Sequence, residues 1–152
     1  MKKTLMLFVL LSCTIAYAQR PTPEQITPLF KKTPPEVKSF LLSKGFVSAG
    51  RDDIAYTYIR HEWGNDCIIK VIYKADRLNN FSIHQSVLYY DSHIAKLYEQ
   101  QFVLTKSCRE DTDLPPIAFP GSTYRFDNNS LKLWCFVVTA DGNGFYMNYA
   151  RL

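Results

Sequence analysis

Residues 41–47 read LLSKGFV, an apolar helix end that passes through Lys44 and Gly45 into Phe46 and Val47. The fold turns on whether this hand-over from helix to strand occurs once or twice. Upstream, Thr33-Pro34-Pro35-Glu36 has the form of a helix start. Thr33 can cap the free amides, Pro34 loses nothing at a first helical position where an N–H has no partner, and Glu36 stands where a capping box needs a carboxylate. Val37, Phe40 and Leu41 follow at helical spacing, and Gly45 supplies the left-handed residue that ends the helix and releases a strand.

A second hand-over follows. Asp91 or Ser92 can cap a helix with Ile94, Leu97 and Tyr98 at the same spacing, which runs out at Gln100-Gln101-Phe102-Val103, so that Phe102-Val103 matches Phe46-Val47. Beyond the two exits Thr57-Tyr58 has a counterpart in Thr123-Tyr124. At an equal distance after each Thr a strand-like run begins, CIIKVIY at 67–73 and LWCFVVT at 133–139. A polar turn and a third strand close each unit, Asn79-Asn80-Phe81-Ser82-Ile83 in one and Asn143-Gly144-Phe145-Tyr146-Met147 in the other. The repeated order predicts an α+β fold of two tandem αβββ units, about 34–90 and 91–152, whose strands form one antiparallel sheet of about six, with both helices on one face. The main difference between the units is an insertion from Thr105 to Pro120, which carries Cys108, Glu110, Asp111, Asp113 and three prolines.

In layout this tandem arrangement resembles the β-lactamase-inhibitor-like proteins, small exported modules that bind other proteins through a concave sheet. The resemblance implies a binding role and carries no residue over.

Ahead of the repeated region, Met1-Lys2-Lys3 gives a positive start, Thr4 to Ile15 is almost unbroken apolar sequence, and Ala16-Tyr17-Ala18 has the small-x-small form of a cleavage site. The apolar run falls short of the roughly 20 residues that span a bilayer. Residues 1–18 are therefore predicted to be a bacterial signal peptide that directs the chain to the periplasm or outside the cell. The alternative is a lipoprotein acylated at Cys13, within Leu10-Leu11-Ser12-Cys13. Residues 19–33, with Pro21, Pro23 and Pro28, are expected to form an extended leader, and 34–152 a single domain.

Loss of Lys2 and Lys3 lowers the formal net charge from +4 by two, to +2. No basic stripe survives, which argues against nucleic acid as a partner. Cys67, Cys108 and Cys135 remain after cleavage, and an odd count in an oxidising compartment predicts one disulfide and one leftover thiol. Their spacing offers no metal site, and no cofactor-binding motif is present.

Strand parity separates a wet face from a packed one. Cys67, Ile69, Val71 and Tyr73 alternate with Ile68, Lys70, Ile72 and Lys74, and Phe81, Ile83 and Val87 oppose Ser82, His84 and Ser86. Helices on one face leave the lysine face open. Carried onto the second unit, the same parity puts Trp134, Phe136, Tyr146 and Asn148 on that open side beside Lys70 and His84, an aromatic strip of the kind that marks a binding surface. The opposing expectation is that Trp134 and Phe136 are core, roofed by the 105–120 loop.

Catalytic signals are sparse. His61-Glu62 lacks the second histidine of a zinc-protease helix. His84 between Ser82 and Ser86 lacks an orienting acid, and His93 in the first turn of the second helix is expected to be exposed. Asp52-Asp53 and the 110–113 cluster lack the calcium-loop pattern, and Asp141-Gly142-Asn143-Gly144 reads as a hairpin turn. The sequence thus predicts an exported, non-catalytic protein-binding module of the inhibitor or immunity type, its partner a toxin or hydrolase. The alternatives are a small exported enzyme using a sheet-face histidine, or a lipid-anchored envelope subunit.

Overall fold

The computed structural model describes residues 20–62, 66–107, 116, 120–139 and 144–152. The signal segment, Cys108, the 110–113 acidic cluster and the 141–143 turn lie outside the described residues.

Helix α1 (Pro23–Ile26) runs into a 3-10 turn (Thr27–Lys31) and is followed by α2 (Pro34–Ser43). Thr33 caps α2 as its sequence requires: its N–H and its hydroxyl both donate to Glu36 Oε2 at 2.8 Å. That backbone amide, together with Lys32 and the Thr33 hydroxyl, holds the Glu36 carboxyl down at about 2. Strands β1 (Val47–Arg51), β2 (Tyr56–Arg60), β3 (Cys67–Lys74) and β4 (Arg77–Ser86) follow as a meander. A 3-10 turn (Val87–Tyr89) then leads into α3 (Tyr90–Glu99) and a second meander of β5 (Val103–Ser107), β6 (Thr123–Asn128), β7 (Leu133–Thr139) and β8 (Gly144–Arg151).

All eight strands form one antiparallel sheet in the order β1-β2-β3-β4-β8-β7-β6-β5. The order reads as two meanders joined back to back at β4 and β8. The α+β class and the single antiparallel sheet stand as the sequence predicts; the six-strand count and the αβββ unit do not. Each half carries four strands, because the strand that each helix exit releases is separate from the one at Thr57-Tyr58 or Thr123-Tyr124; the released strands, β1 and β5, are the sheet edges. Their residues are mostly exposed on both faces, which removes the alternation by which a strand is read from sequence. The insertion consequently starts after Ser107, because Thr105 belongs to β5.

The two helix exits are the same Schellman turn. Phe46 N–H reaches Leu41 C=O at 3.1 Å and Gly45 N–H reaches Leu42 C=O at 3.0 Å; Phe102 N–H reaches Leu97 C=O at 3.0 Å and Gln101 N–H reaches Tyr98 C=O at 2.9 Å. Gly45 (φ 79°) and Gln101 (φ 62°) occupy the same left-handed position, and Phe46 and Phe102 are each 1% exposed. The likeness continues into the strands: β1 shifts register between Ser48 and Gly50, and β5 between Leu104 and Lys106. Pairing registers align β3 with β7 as the sequence does, Cys67 with Leu133. They move two other matches by two residues. Tyr56 rather than Tyr58 stands at the place of Tyr124, and Phe81 stands at the place of Met147 rather than Phe145.

The core lies on one side of the sheet. Val37 and Leu41 of α2, Ile94 and Leu97 of α3, and Ile69, Val71, Phe81, Ile83, Phe126, Cys135, Val137, Met147 and Tyr149 of the strands form one buried cluster. At about 25 cal/mol per Å² of apolar area, side chains of this size each contribute roughly 1.5–3 kcal/mol on burial. Residues 20–33 do not form the extended leader expected of 19–33 from its prolines. Pro23 and Pro28 sit at helix starts, where proline is tolerated, and Ile26, Leu29 and Phe30 are buried in the same cluster.

Helix α3 starts at Tyr90 with Tyr89 at its N-cap, earlier than the Asp91 or Ser92 cap expected; Ser92 Oγ instead donates back to Tyr89 C=O at 2.9 Å. Cys67 and Cys135 are free, buried thiols, so the one disulfide expected among Cys67, Cys108 and Cys135 is not seen among the described residues. β3 and β7 are separated by β4 and β8, which puts them about 14 Å apart, twice the reach of a disulfide. Among the described residues no helix is long and apolar enough to cross a membrane.

Candidate functional site

Alternation that buries one face of the sheet turns the other away from the helices. Registers assign that outer face in three rows that cross the seam between β4 and β8. The middle row runs Thr57, Lys70, Ser82, Asn148, Phe136, Arg125, Lys106. One flanking row carries Ile59, Ile68, His84, Tyr146 and Val138; the other carries Ile72, Asn80, Ala150, Trp134 and Asp127. Lys70, His84, Trp134, Phe136, Tyr146 and Asn148 therefore share one face and lie in adjacent rows. Tyr146 and Lys70 are exposed, and the other four are half-buried.

Two ring contacts organise this face. His84 stacks on Tyr146 across the seam, with centroids 4.4 Å apart and planes 26° from parallel. Gly144 makes the room: a Cβ there would come within 2.6 Å of His84 Nε2. In the second half the Arg125 guanidinium lies 5.6 Å from the Trp134 ring centroid, and its Nε donates to Asp127 Oδ1 at 2.8 Å. The bond fixes the cation over the ring, an arrangement that favours both partners.

At the centre, Asn148 Oδ1 is out of contact with solvent and has no hydrogen-bond partner. Its position is special. The shift that carries Ile68 onto Trp134 also carries Asn80 onto Tyr146, Ser82 onto Asn148 and His84 onto Ala150. Across the seam Asn80 faces Ala150, Ser82 faces Asn148 and His84 faces Tyr146, so exchanging the halves returns the same pairs. An approximate two-fold axis passes through Ser82 and Asn148. The face is alike in layout on its two sides and unlike in chemistry: isoleucines and Lys70 on one, Trp134, Phe136 and Arg125 on the other.

The remaining sequence candidates fall elsewhere. His61 Nδ1 pairs with Asp66 Oδ1 at 3.0 Å, with the ring largely in solvent. Asp52 Oδ1 accepts from the N–H groups of Ile54 and Ala55 at 3.0 and 2.7 Å, which makes it a turn anchor. His93 is not exposed as expected but 3% exposed. Its Nδ1 lies 2.9 Å from Tyr89 C=O, its Nε2 lies 3.0 Å from Gln85 Nε2 and 3.4 Å from Pro21 C=O, and burial pushes its pKa down. The folded 20–33 segment brings the Pro21 carbonyl to the ring, and Phe145 meets it edge to face with centroids 5.8 Å apart. Among the described residues no three His, Cys, Asp or Glu side chains gather where a metal ion could be held.

Sequence reasoning put Ile68 and Ile72 on the open face without naming them as site residues, and passed over Ile59, Arg125 and Val138. Parity with Lys70 contained the signal for Ile68 and Ile72. Arg125 and Val138 needed the β6–β7 register, which Thr123-Tyr124 matched to Thr57-Tyr58 could not supply. No protein-family model matches this chain, and comparison with curated proteins and with solved structures finds no match either.

Proposed function

We propose that the chain is an exported, non-catalytic binding module of the inhibitor or immunity type, which docks a partner protein, a toxin or hydrolase, on the outer face of its sheet. The observation that carries this reading is the convergence of Lys70, His84, Trp134, Phe136, Tyr146 and Asn148 on a face that neither α2 nor α3 contributes to. Large, half-buried aromatic side chains concentrate binding energy at interfaces, and Trp134, held under Arg125, is the anchor of choice. Asn148 Oδ1 supplies an acceptor already stripped of water and waiting for a donor. Lys70, Arg125 and Lys106 in the middle row favour an acidic surface on the partner, and the charge would chiefly speed its approach. The same reading takes residues 1–18 as the export signal and the two αββββ halves as copies of one ancestral unit that have since diverged.

The test is capture of the partner from periplasmic extract on immobilised protein, followed by titration of the purified pair. Trp134→Ala should weaken binding by about 2 kcal/mol or more, with little change in thermal midpoint. A large loss of stability with binding per folded molecule intact would place Trp134 in the core and remove the docking face. Intact mass fixes the export route: a chain beginning at Gln19 supports cleavage after Ala18, whereas an acylated Cys13 supports the envelope-subunit alternative.

A further inference from the structure

The two halves differ in the wedge between each helix and its edge strands, on the helix-bearing side of the sheet. Superposing the Schellman turns puts Pro34 of α2 at the place of Tyr90 of α3, and Lys38 at the place of Ile94. The strand registers put Ser48 at the place of Leu104. In the second half Tyr90 (1% exposed) and Ile94 (7% exposed) stand at these places as part of the buried core, and Leu104 packs against the same core. In the first half the smaller or polar residues leave a cleft of about 530 Å³ instead.

The lining of this cleft is chemically one-sided. Tyr56 and Tyr73 meet edge to face at 5.7 Å, and the Arg51 guanidinium lies 4.9 Å from the Tyr56 ring centroid. Lys38 adds a second cation from the helix, and among the described residues no carboxylate lines the cleft; Asp76 appears only where an adjoining trough continues past Tyr73. Among the described residues neither Lys38 nor Arg51 has a carboxylate ion-pair partner. Tyr73 Oη is shut off from solvent and hydrogen-bonded to nothing, although a buried tyrosine hydroxyl normally finds a partner. A volume of this size is in the range of small-molecule sites, which pair apolar walls with a few convergent polar groups.

We propose that this cleft binds a small aromatic carboxylate, with the ring between Pro34 and the tyrosine faces, the carboxylate on Arg51 and Lys38, and the Tyr73 hydroxyl donating to an oxygen of the ligand. The site is separate from the outer-face docking surface and does not depend on it. The probes are benzoate and 4-hydroxyphenylacetate, with benzyl alcohol as the neutral counterpart and sulfate as the ringless anion, titrated into the intact protein and followed by calorimetry and by NMR shifts of Tyr56 and Tyr73. A carboxylate probe should bind one to one, more tightly than either control. Arg51→Ala should weaken it at least about tenfold, the loss of a hydrogen bond to a charged group. Ser48→Leu, which copies the filled half while keeping both cations, should abolish binding without lowering the thermal midpoint. The proposal is overturned if no carboxylate probe binds at millimolar concentration, if benzyl alcohol or sulfate binds as well, or if Ser48→Leu leaves the affinity of a folded protein unchanged.

Discussion

The imidazole of His84 and the phenol ring of Tyr146 lie stacked across the seam of the two halves, 4.4 Å apart, above a glycine that leaves them space. Gly144→Ala would set a methyl group 2.6 Å from His84 Nε2 and drive the ring off Tyr146. A stack of this kind adds about 0.5–1.5 kcal/mol beyond area burial, so a loss of stability of that order is expected. The ring-current shift of the His84 protons in the NMR spectrum reports the stack directly and should collapse toward its free value.

The matched Schellman turns allow an internal comparison. Gly45 holds its left-handed position without steric cost, whereas Gln101 holds the same position with a Cβ. Gln101→Gly should therefore stabilise the protein, and Gly45→Gln destabilise it, each by about 1 kcal/mol. Urea denaturation of the two variants checks both signs, and equal midpoints would mean that the turns are not equivalent.

Burial of His93 predicts a pH dependence. The folded protein holds its pKa below the ordinary 6.5, mainly by desolvation, with Arg20 of the N-terminal segment adding like-charge repulsion and the carbonyls of Tyr89 and Pro21 opposing both. Well above pH 6.5 both folded and unfolded chains carry it neutral and it contributes no slope. Below that the unfolded chain takes up a proton that the folded one refuses, and stability falls with pH by at most about 1.4 kcal/mol per unit until the folded pKa is reached. Denaturation midpoints measured either side of this window should show the fall, and His93→Gln should flatten it.

Desolvation pushes the Cys67 thiol up to about 11 and the Cys135 thiol higher still. Thiolate is the reactive form, so both should resist a thiol reagent in the native state and react at once in denaturant. Peptide mapping of the labelled protein assigns each site. Fast native labelling of Cys135 would contradict its place on the inner face of β7.

Much of this fold is written in short-range chemistry. The Thr33-Pro34-Pro35-Glu36 start, the Leu41-to-Val47 exit and the alternation of β3 and β7 each follow from local rules, and the outer-face grouping of Lys70, His84, Trp134, Phe136, Tyr146 and Asn148 follows from the alternation. What escaped depended on the rest of the molecule. Edge strands β1 and β5 show little alternation because their residues are mostly wet on both faces. Prolines 23 and 28 suggest an extended leader until Ile26, Leu29 and Phe30 find a core to enter. His93 looks like a surface helix residue until the Pro21 carbonyl and the Phe145 ring close on it. The wedge cleft was invisible for the same reason: it is an absence of side-chain volume, apparent only beside the half in which Tyr90 and Ile94 supply it.

The sheet order has a kinetic consequence. β8, made after the other seven strands of the sheet, ends in its middle, paired on one side with β4 and on the other with β7. Each meander can form from near neighbours, but the seam joins residues such as Phe81 and Tyr149 and must wait until the ribosome has passed Arg151. Non-local pairing of this kind is slow to form. Until it closes, β4 and β7 both present unpaired edges, and the early half stays incomplete for the whole time the later half is being made. A chain built this way remains threadable until β8 has been made and locks only when that strand slides between the two halves.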